Sequence, residues 1–517
     1  MKPFRNEPAL DLREAPVRER LLRELARLDA TLPQEVPLLI GAAARAAGRT
    51  LDSVDPGAPE RVVAHAAVAD AADVERAVAG AAAALDGWAA TPVRHRVDLL
   101  LRAADLLRTQ RERLAALAVR ECGKPWREAD ADVCEAIDFV EYYARLALRL
   151  ADGVRLLQVP GEQNALRYRP RGVTVVIAPW NFPLAIPCGM VVAALATGNT
   201  AILKPAEQAP ACGRALVELL HAAGIPRDAL ALVPGDGETG ALLSAHPGVA
   251  TIAFTGSLAA GRAILRTAAE TSERQLKRVV AETSGKNCVV LDADADLDEA
   301  VPALLDSAFG FAGQKCSAAS RALVHEALWE RLLERLRGGV ETLVVGPAED
   351  FATSVPPLID AEAHARVGRY QALAADSGAA HAGAAGPARG WYRPPTLAWD
   401  LPPDSPLLEE EVFGPLLALE PVASMEEACA RVAALPTALT AGVFARNPDV
   451  VAAVARALPS GNLYVNRGTT GAIVGRQPFG GARLSGTGPK AGGPDYLLGF
   501  VDAQVVTENV VRHGLVV

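Results

Sequence analysis

The chain has 517 residues, half of them hydrophobic and 22% charged. That length exceeds what one core can organise, so two to three domains are expected of a globular protein. A formal net charge of −9 argues against nucleic acid as the main partner. The longest apolar run, near 184–196, is too short and too interrupted to predict a membrane span. The first seven residues lack a signal-peptide core and carry an acid early. The cysteines at 122, 134, 188, 212, 288, 316 and 429 are scattered, with no CxxC spacing. That reads as a reduced, cytoplasmic compartment without a zinc site or disulfide framework.

A leucine stripe at helical spacing predicts an N-terminal helix over 17–30, with a charged, solvated face. Three long amphipathic helices follow over 74–88, 93–121 and 126–150. Residues 153–171 alternate apolar and polar around Pro160-Gly161-Glu162 and predict a β-hairpin. From 173 onward strands (173–178, 200–204, 229–233, 251–255) alternate with helices (185–196, 209–223, 238–245, 259–270). This predicts a parallel, doubly wound α/β sheet. A second βα series runs from 278 to about 458, with a strand over 288–291, a helix over 297–312 and a strand over 322–325. The Gly- and Ala-rich stretch 377–391 is expected to be a surface loop. Residues 501–506 are expected to form a final strand.

Chemistry concentrates in a few turns of this pattern. The run Gly313-Gln314-Lys315-Cys316-Ser317-Ala318-Ala319-Ser320-Arg321 puts one cysteine on a loop among small or cationic residues, the setting of a reactive thiol. Ala281-Glu282-Thr283-Ser284-Gly285-Lys286-Asn287 supplies a carboxylate at the end of another strand. A thiol and a carboxylate on adjacent strand ends suit covalent catalysis followed by hydrolysis, and so an enzyme. After the strand ending at Thr255, Gly256-Ser257-Leu258-Ala259-Ala260-Gly261 opens a helix. Its glycines and free N–H groups suit a pyrophosphate, or simply start a helix. Lys204 and Glu207 follow a parallel strand, where they can reach ribose hydroxyls or form a solvated turn. In Pro179-Trp180-Asn181-Phe182-Pro183 the Asn181 amide can donate to an oxyanion or cap a turn.

These motifs, with Glu411-Val412-Phe413-Gly414-Pro415, stand in the order found in the NAD(P)-dependent aldehyde dehydrogenase superfamily. The resemblance covers about residues 40–510. Within it, the chain is similar to the 1-pyrroline-5-carboxylate (L-glutamate γ-semialdehyde) dehydrogenases. The narrower cues are the run 314–321, Glu135-Ala136-Ile137-Asp138-Phe139, the start at 3–8, and the stretches 461–467, 470–481 and 488–494. The resemblance implies an aldehyde dehydrogenase fold, after an N-terminal helical segment over 1–34. Its parts would be a Rossmann-like NAD-binding domain (35–152 and 172–284), a catalytic α/β domain (285–484) and an oligomerisation module (153–171 and 485–517). No proline dehydrogenase barrel is expected ahead of the N-terminal helix.

The implied reaction is NAD-dependent oxidation of L-glutamate γ-semialdehyde to L-glutamate in proline catabolism. A cytoplasmic homodimer or assembly of dimers is implied, with a functional link to a separate proline dehydrogenase. The rivals are another semialdehyde or aliphatic aldehyde as substrate, or a non-catalytic structural protein of the same fold. Glu207 near the ribose favours NAD+ over NADP+.

By the same resemblance Cys316 is the nucleophile and Glu282 the base that activates water. Asn181 and the Cys316 backbone N–H form the oxyanion site, and Lys315 or a helix end is expected to favour the thiolate. Trp180, Lys204, Glu207, Gly256, Ser257, Glu411 and Phe413 make up the cofactor set. Lys204 and Glu207 serve the adenosine ribose, Ser257 a phosphate and Glu411 the nicotinamide ribose, with Phe413 near the ring. Ser317 and the N–H groups of Gly471 and Ala472 anchor the substrate carboxylate. Glu135 faces its ammonium or forms a plain salt bridge, and Phe182 and Phe479 line the aliphatic middle. No metal is implied. Ser284 stands where glycine is more usual in the superfamily, and Cys288 reads as a core thiol.

Overall fold

A computed structural model describes residues 3–273 and 275–511. Residues 1–2 of the N-terminal segment and 512–517 of the C-terminal module lie outside the described residues. Two seven-stranded sheets dominate. In the first, five parallel strands run in the order Arg278–Glu282, Val249–Thr255, Val173–Ile177, Thr200–Lys204, Leu230–Leu232. Leu38–Ile40 and Ala43–Arg45 extend it antiparallel. Val173–Ile177 reads VTVVI and is almost wholly buried, as expected when helices cover both faces of a parallel sheet. Helices Ala71–Ala90 and Ala185–Ala196 pack on it. An Asp70–Asp73 capping box starts the first of these.

The second sheet takes the order Ala379–Ala382, Thr396–Trp399, Leu416–Val422, Arg321–His325, Cys288–Leu291, Thr440–Phe444, Asn462–Val465. It is parallel except at its first edge. The strand Ala379–Ala382 corrects the loop expected over 377–391. Alanine has low strand propensity, so pairing with Thr396–Trp399 had no local signal. Similarly unsignalled is the three-stranded sheet of Gln34–Val36, Ala58–Ala67 and Thr50–Asp55. Arg278–Glu282, expected to open the second series, is instead the edge strand of the first sheet.

Two helices are shorter than their periodicity predicts. The helix expected over 93–121 breaks at Gln110 (φ −105°, ψ 14°) into Val93–Thr109 and Arg111–Cys122. The break turns Arg111 inward to a bidentate pair with Asp130, at 2.6 and 2.8 Å. The helix expected to reach 312 stops at Phe309. The hairpin expected over 153–171 does not form: its first arm makes only one bridge, Val154 to Leu166. Gln158 instead uses its side-chain amide on both backbone groups of Asn164. The strand Glu162–Pro170 pairs antiparallel with Val501–Asn509 over nine residues.

Candidate active site

Register sets the site along one edge of the first sheet. Ile177 lies beside Lys204, Phe254 beside Ile177, and Thr255 beside Glu282. The C-terminal ends of four parallel strands therefore carry the Trp180-Asn181 loop, the Lys204-Glu207 turn, Gly256-Ser257 and Glu282. This is the edge where open α/β sheets bind ligands. Cys316 comes from the other sheet, just before Arg321–His325. Thiol and carboxylate thus meet across the junction of two sheets rather than on adjacent ends of one, because Glu282 closes the first sheet's edge.

The cysteine loop is built on strained backbone. Phe311, Ala312 and Gly313 follow one another at φ 53°, 54° and 69°. Such conformations cost about 1–3 kcal/mol for each non-glycine residue. At Gly313 a Cβ would meet Gly414 O at 2.4 Å and Ala308 O at 2.9 Å, so only glycine fits. Asn287 braces the loop from the neighbouring strand. Its Nδ2 donates to Cys316 O (2.7 Å) and Ala318 O (2.9 Å), while its Oδ1 accepts from Thr440 N (3.1 Å). The Asn181 side chain donates to Gln314 O at 3.1 Å, two residues before the cysteine. Cys316 is half-buried, whereas the other six cysteines, Cys288 among them, are buried.

The Cys316 thiol and the Glu282 carboxyl lie close enough to shift one another's titration. Burial pushes Glu282 up to about 7, against the pull of that thiol and of Lys490. Its Oε1 is shut from solvent without a hydrogen-bond partner. A cavity of about 50 Å³ lies beside Glu282, between Phe479, Tyr143 and Tyr496, roomier than the roughly 10–15 Å³ one water needs. Burial also pushes the Cys316 thiol well above its ordinary range, and negative charge on Glu282, Glu411 and Glu135 adds to this. Lys315 does not offset it: its Nζ is held by Glu128 at 2.7 Å. The expected thiolate support from Lys315 is therefore corrected, and the carboxyl acting on the thiol is that of Glu282. Glu135 is pushed up to about 8, by burial first and then by Asp132.

The proposed cofactor residues divide between two ends. Lys204 is buried, with Nζ 3.0 Å from Pro205 O and 3.6 Å from Glu207 Oε2. Ser257 caps the helix Leu258–Glu270 by accepting from Ala260 N at 3.2 Å, and Ser284 Oγ accepts from Leu258 N at 3.2 Å. A Cβ on Gly256 would touch the Phe254 ring at 2.7 Å. This capped helix start, with a buried lysine two strands away, stands at the strand ends where open α/β sheets bind dinucleotides. Closer to the thiol, Glu411 accepts from Gly285 N at 3.1 Å. Phe413, at φ 53°, presents its ring edge-on to Trp180 with centroids 5.8 Å apart.

Of the residues expected to bind substrate, Ser317 follows Cys316 in the chain. Ser317 is buried and its carbonyl accepts from Thr469 Oγ1 at 2.9 Å. Ser307 ties both loops together, accepting from Ala319 N through its carbonyl (3.0 Å) and from Thr469 N through Oγ (3.1 Å). Gly471, at φ 77°, is exposed with open space where a Cβ would stand, and Ala472 is half-buried. Phe479 is held by paired 2.8 Å hydrogen bonds with Ala491. Phe182 lies under the Lys124 Nζ, 3.9 Å from the ring centroid.

The sequence profile of the aldehyde dehydrogenase family matches residues 43–506. The chain belongs to the aldehyde dehydrogenase family. Its fold is the family's. The chain is 41% identical over 512 residues to a 1-pyrroline-5-carboxylate dehydrogenase of Geobacillus kaustophilus (strain HTA426), covering 98% of this chain and 99% of that one. It is 39% identical over 509 residues to that of Bacillus subtilis (strain 168), with the same coverage. The solved Thermus 1-pyrroline-5-carboxylate dehydrogenase with bound NAD superposes with a TM-score of 0.96 at 40% identity, covering 98% and 99% of the two chains. Proline utilization A from Bdellovibrio bacteriovorus superposes at 0.97 with 41% identity, and the chain spans 54% of that longer protein.

This family member carries site residues that sequence reasoning passed over. Asn287 stood inside a quoted motif, but nothing local marks it as a brace. Glu128 and Asp132 precede the expected Glu135 by seven and three positions on one face of the helix Trp126–Ala151; that spacing was readable. Lys490, which acts on Glu282, lies far along the chain and had no such signal.

Proposed function

We propose that this enzyme oxidises L-glutamate γ-semialdehyde, the open form of 1-pyrroline-5-carboxylate, to L-glutamate with NAD+. The observation that carries the reading is the thiol of Cys316 facing a Glu282 carboxyl poised near neutrality. Beside them, the loop at 469–472 is pinned to the nucleophile's own loop through Thr469 and Ser307. The full-length 1-pyrroline-5-carboxylate dehydrogenase relatives support the substrate, and the NAD-bound Thermus structure supports the cofactor.

In this reading Cys316 Sγ passes its proton to Glu282, which returns it to solvent, and bonds the aldehyde carbon. The oxyanion is held by the Asn181 amide and the Cys316 N–H. What NAD+ supplies when bound is the hydride acceptor that converts the hemithioacetal to a thioester. Glu282 then takes a proton from water, the hydroxyl adds to the thioester carbon, and the C–S bond breaks to release the acid and the thiol. Trp180, Lys204, Glu207, Gly256, Ser257, Glu411 and Phe413 would hold the cofactor. Ser317, Gly471 and Ala472 would read the substrate carboxylate, Glu135 its ammonium, and Phe182 and Phe479 its methylenes.

Steady-state kinetics test the substrate. We expect kcat/KM for glutamate semialdehyde to exceed that for succinic semialdehyde, which lacks the ammonium and the carbon that bears it. Ser317→Ala should raise KM for the amino-acid aldehyde more than for a simple aldehyde. Comparable kcat/KM values would overturn the substrate assignment, and equal KM effects the carboxylate anchor.

The pH profile follows from Glu282. Its carboxyl is raised, so it is neutral and inactive as a base below about 7 and ionised above. Activity should therefore rise with pH through about 7, losing roughly tenfold per unit on the acid side. In Glu282→Gln this acid limb should vanish from the hydrolytic step.

The division into a cofactor part (35–152 with 172–284) and a catalytic part (285–484) agrees with one sheet serving each. The strand pair Glu162–Pro170 and Val501–Asn509 supports a dimer or assembly of dimers. Its flank leaves Leu157 87% and Val505 61% exposed, an edge that a second copy would cover. Similarity to about half of a proline utilization A chain described as bifunctional supports a link to a separate proline dehydrogenase. A cytoplasmic location fits seven cysteines without framework spacing. Among the described residues no helix is long and apolar enough to cross a membrane.

A further inference from the structure

Lys124 is fully buried, a position lysine takes only when its charge is paired and its donors are used. It occupies the elbow between two helices. Gly123, at φ 62°, ends Arg111–Cys122, and Pro125 precedes Trp126–Ala151. From there its Nζ donates to the Asn181 backbone carbonyl at 2.5 Å. It also lies 3.9 Å from Asp132 Oδ2, 3.9 Å from the Phe182 ring centroid and 4.8 Å from that of Phe311.

Asp132, equally buried, accepts from Ala185 N at 2.9 Å and Leu184 N at 3.4 Å. The lysine and the aspartate therefore grip both ends of the short loop that carries Asn181 and Phe182. The third neighbour, Phe311, opens the strained turn leading to Cys316.

We propose that Lys124 is a positioning residue that sets the Asn181 amide against the Cys316 loop and seats the Phe182 ring at the substrate. Its contacts are with Asn181, Phe182, Asp132 and Phe311, so it acts on the reaction through the residues it holds. The proposal rests on the reading of Asn181 as the oxyanion donor. A displaced donor is costly in catalysis, since about 1 Å of misplacement can lose on the order of 10²-fold in rate.

Lys124→Met keeps the stem and removes the donor. The expected result is a loss of about 10²-fold in kcat, with the dissociation constant for NAD+ and the rate of Cys316 alkylation by iodoacetamide unchanged. A merely structural residue would shift all three together. The deciding comparison is the double-mutant cycle with Asn181→Ala. In that background Lys124→Met should cost nothing further in kcat. Additive losses, or full kcat in Lys124→Met alone, overturn the proposal while leaving Asn181 in place. Full kcat in Asn181→Ala overturns the oxyanion reading and the proposal with it. If the methionine variant does not fold, Lys124→Arg keeps the charge but moves the donor. Reduced kcat with intact NAD+ binding then supports the proposal, and full kcat overturns it.

Discussion

Cys316→Ala should abolish aldehyde oxidation, by on the order of 10⁴-fold or more, while NAD+ binds as before. The size of the effect follows from chemistry that nothing else in the chain can supply. Without Sγ there is no atom to bond the aldehyde carbon, so neither hemithioacetal nor thioester can form. No other thiol can stand in, because the remaining six cysteines are buried. Cys288, the nearest in sequence to Glu282, sits in a central strand of the second sheet with its backbone beside Arg321. Cofactor affinity should survive because Lys204, Ser257 and the helix Leu258–Glu270 belong to the other sheet and do not depend on Sγ. Titration with NAD+ and NADH absorbance on the same sample separate the two effects. Oxidation that persisted in the variant would remove the nucleophile assignment.

Glu282→Gln should divide the reaction in time. The glutamine side chain has nearly the shape of the acid but cannot accept a proton from water, so hydrolysis of the thioester should slow by about 10²–10⁴-fold. Thioester formation should be affected less, since the oxyanion donors and the thiol remain. Rapid mixing is expected to show a burst of NADH approaching one per active site, followed by a slow steady rate. The enclosed Oε1 and the adjoining cavity of about 50 Å³ give the water a place to wait. The thiol also faces this carboxyl, so a smaller effect on the burst rate is expected. A variant with no burst and a normal steady rate would count against Glu282 as the base.

The legible parts of this protein were those written in local pattern. Strand–helix alternation from 173 to 270 placed every core element of the first sheet within two residues, because burial on both faces demands long apolar strands bounded by turns. The region 34–67 was silent because its strands are short or alanine-rich, although several pair with chain neighbours. The hairpin failed for a related reason. Alternation at 162–170 correctly marked a strand, but alternation cannot name its partner, and 501–509 offered a nine-residue ladder that 153–159 did not. The break at Gln110 has no glycine or proline to announce it, and the Arg111–Asp130 pair that goes with it joins two separate helices.

The candidate site divides along the same line. The sequence by itself determined the family, the fold class, the nucleophile candidate and its carboxylate partner, since each is a residue type at a strand end in a recognisable order. Only the tertiary structure decided the electrostatics. Lys315, adjacent to Cys316 in the chain, turns away to Glu128, while Glu282, thirty-four positions upstream, faces the thiol. It also decided that Lys124 lies beneath the Asn181 loop. Charge acts through space and is strengthened by burial, so its partners are set by how helices and sheets pack, not by their spacing along the chain.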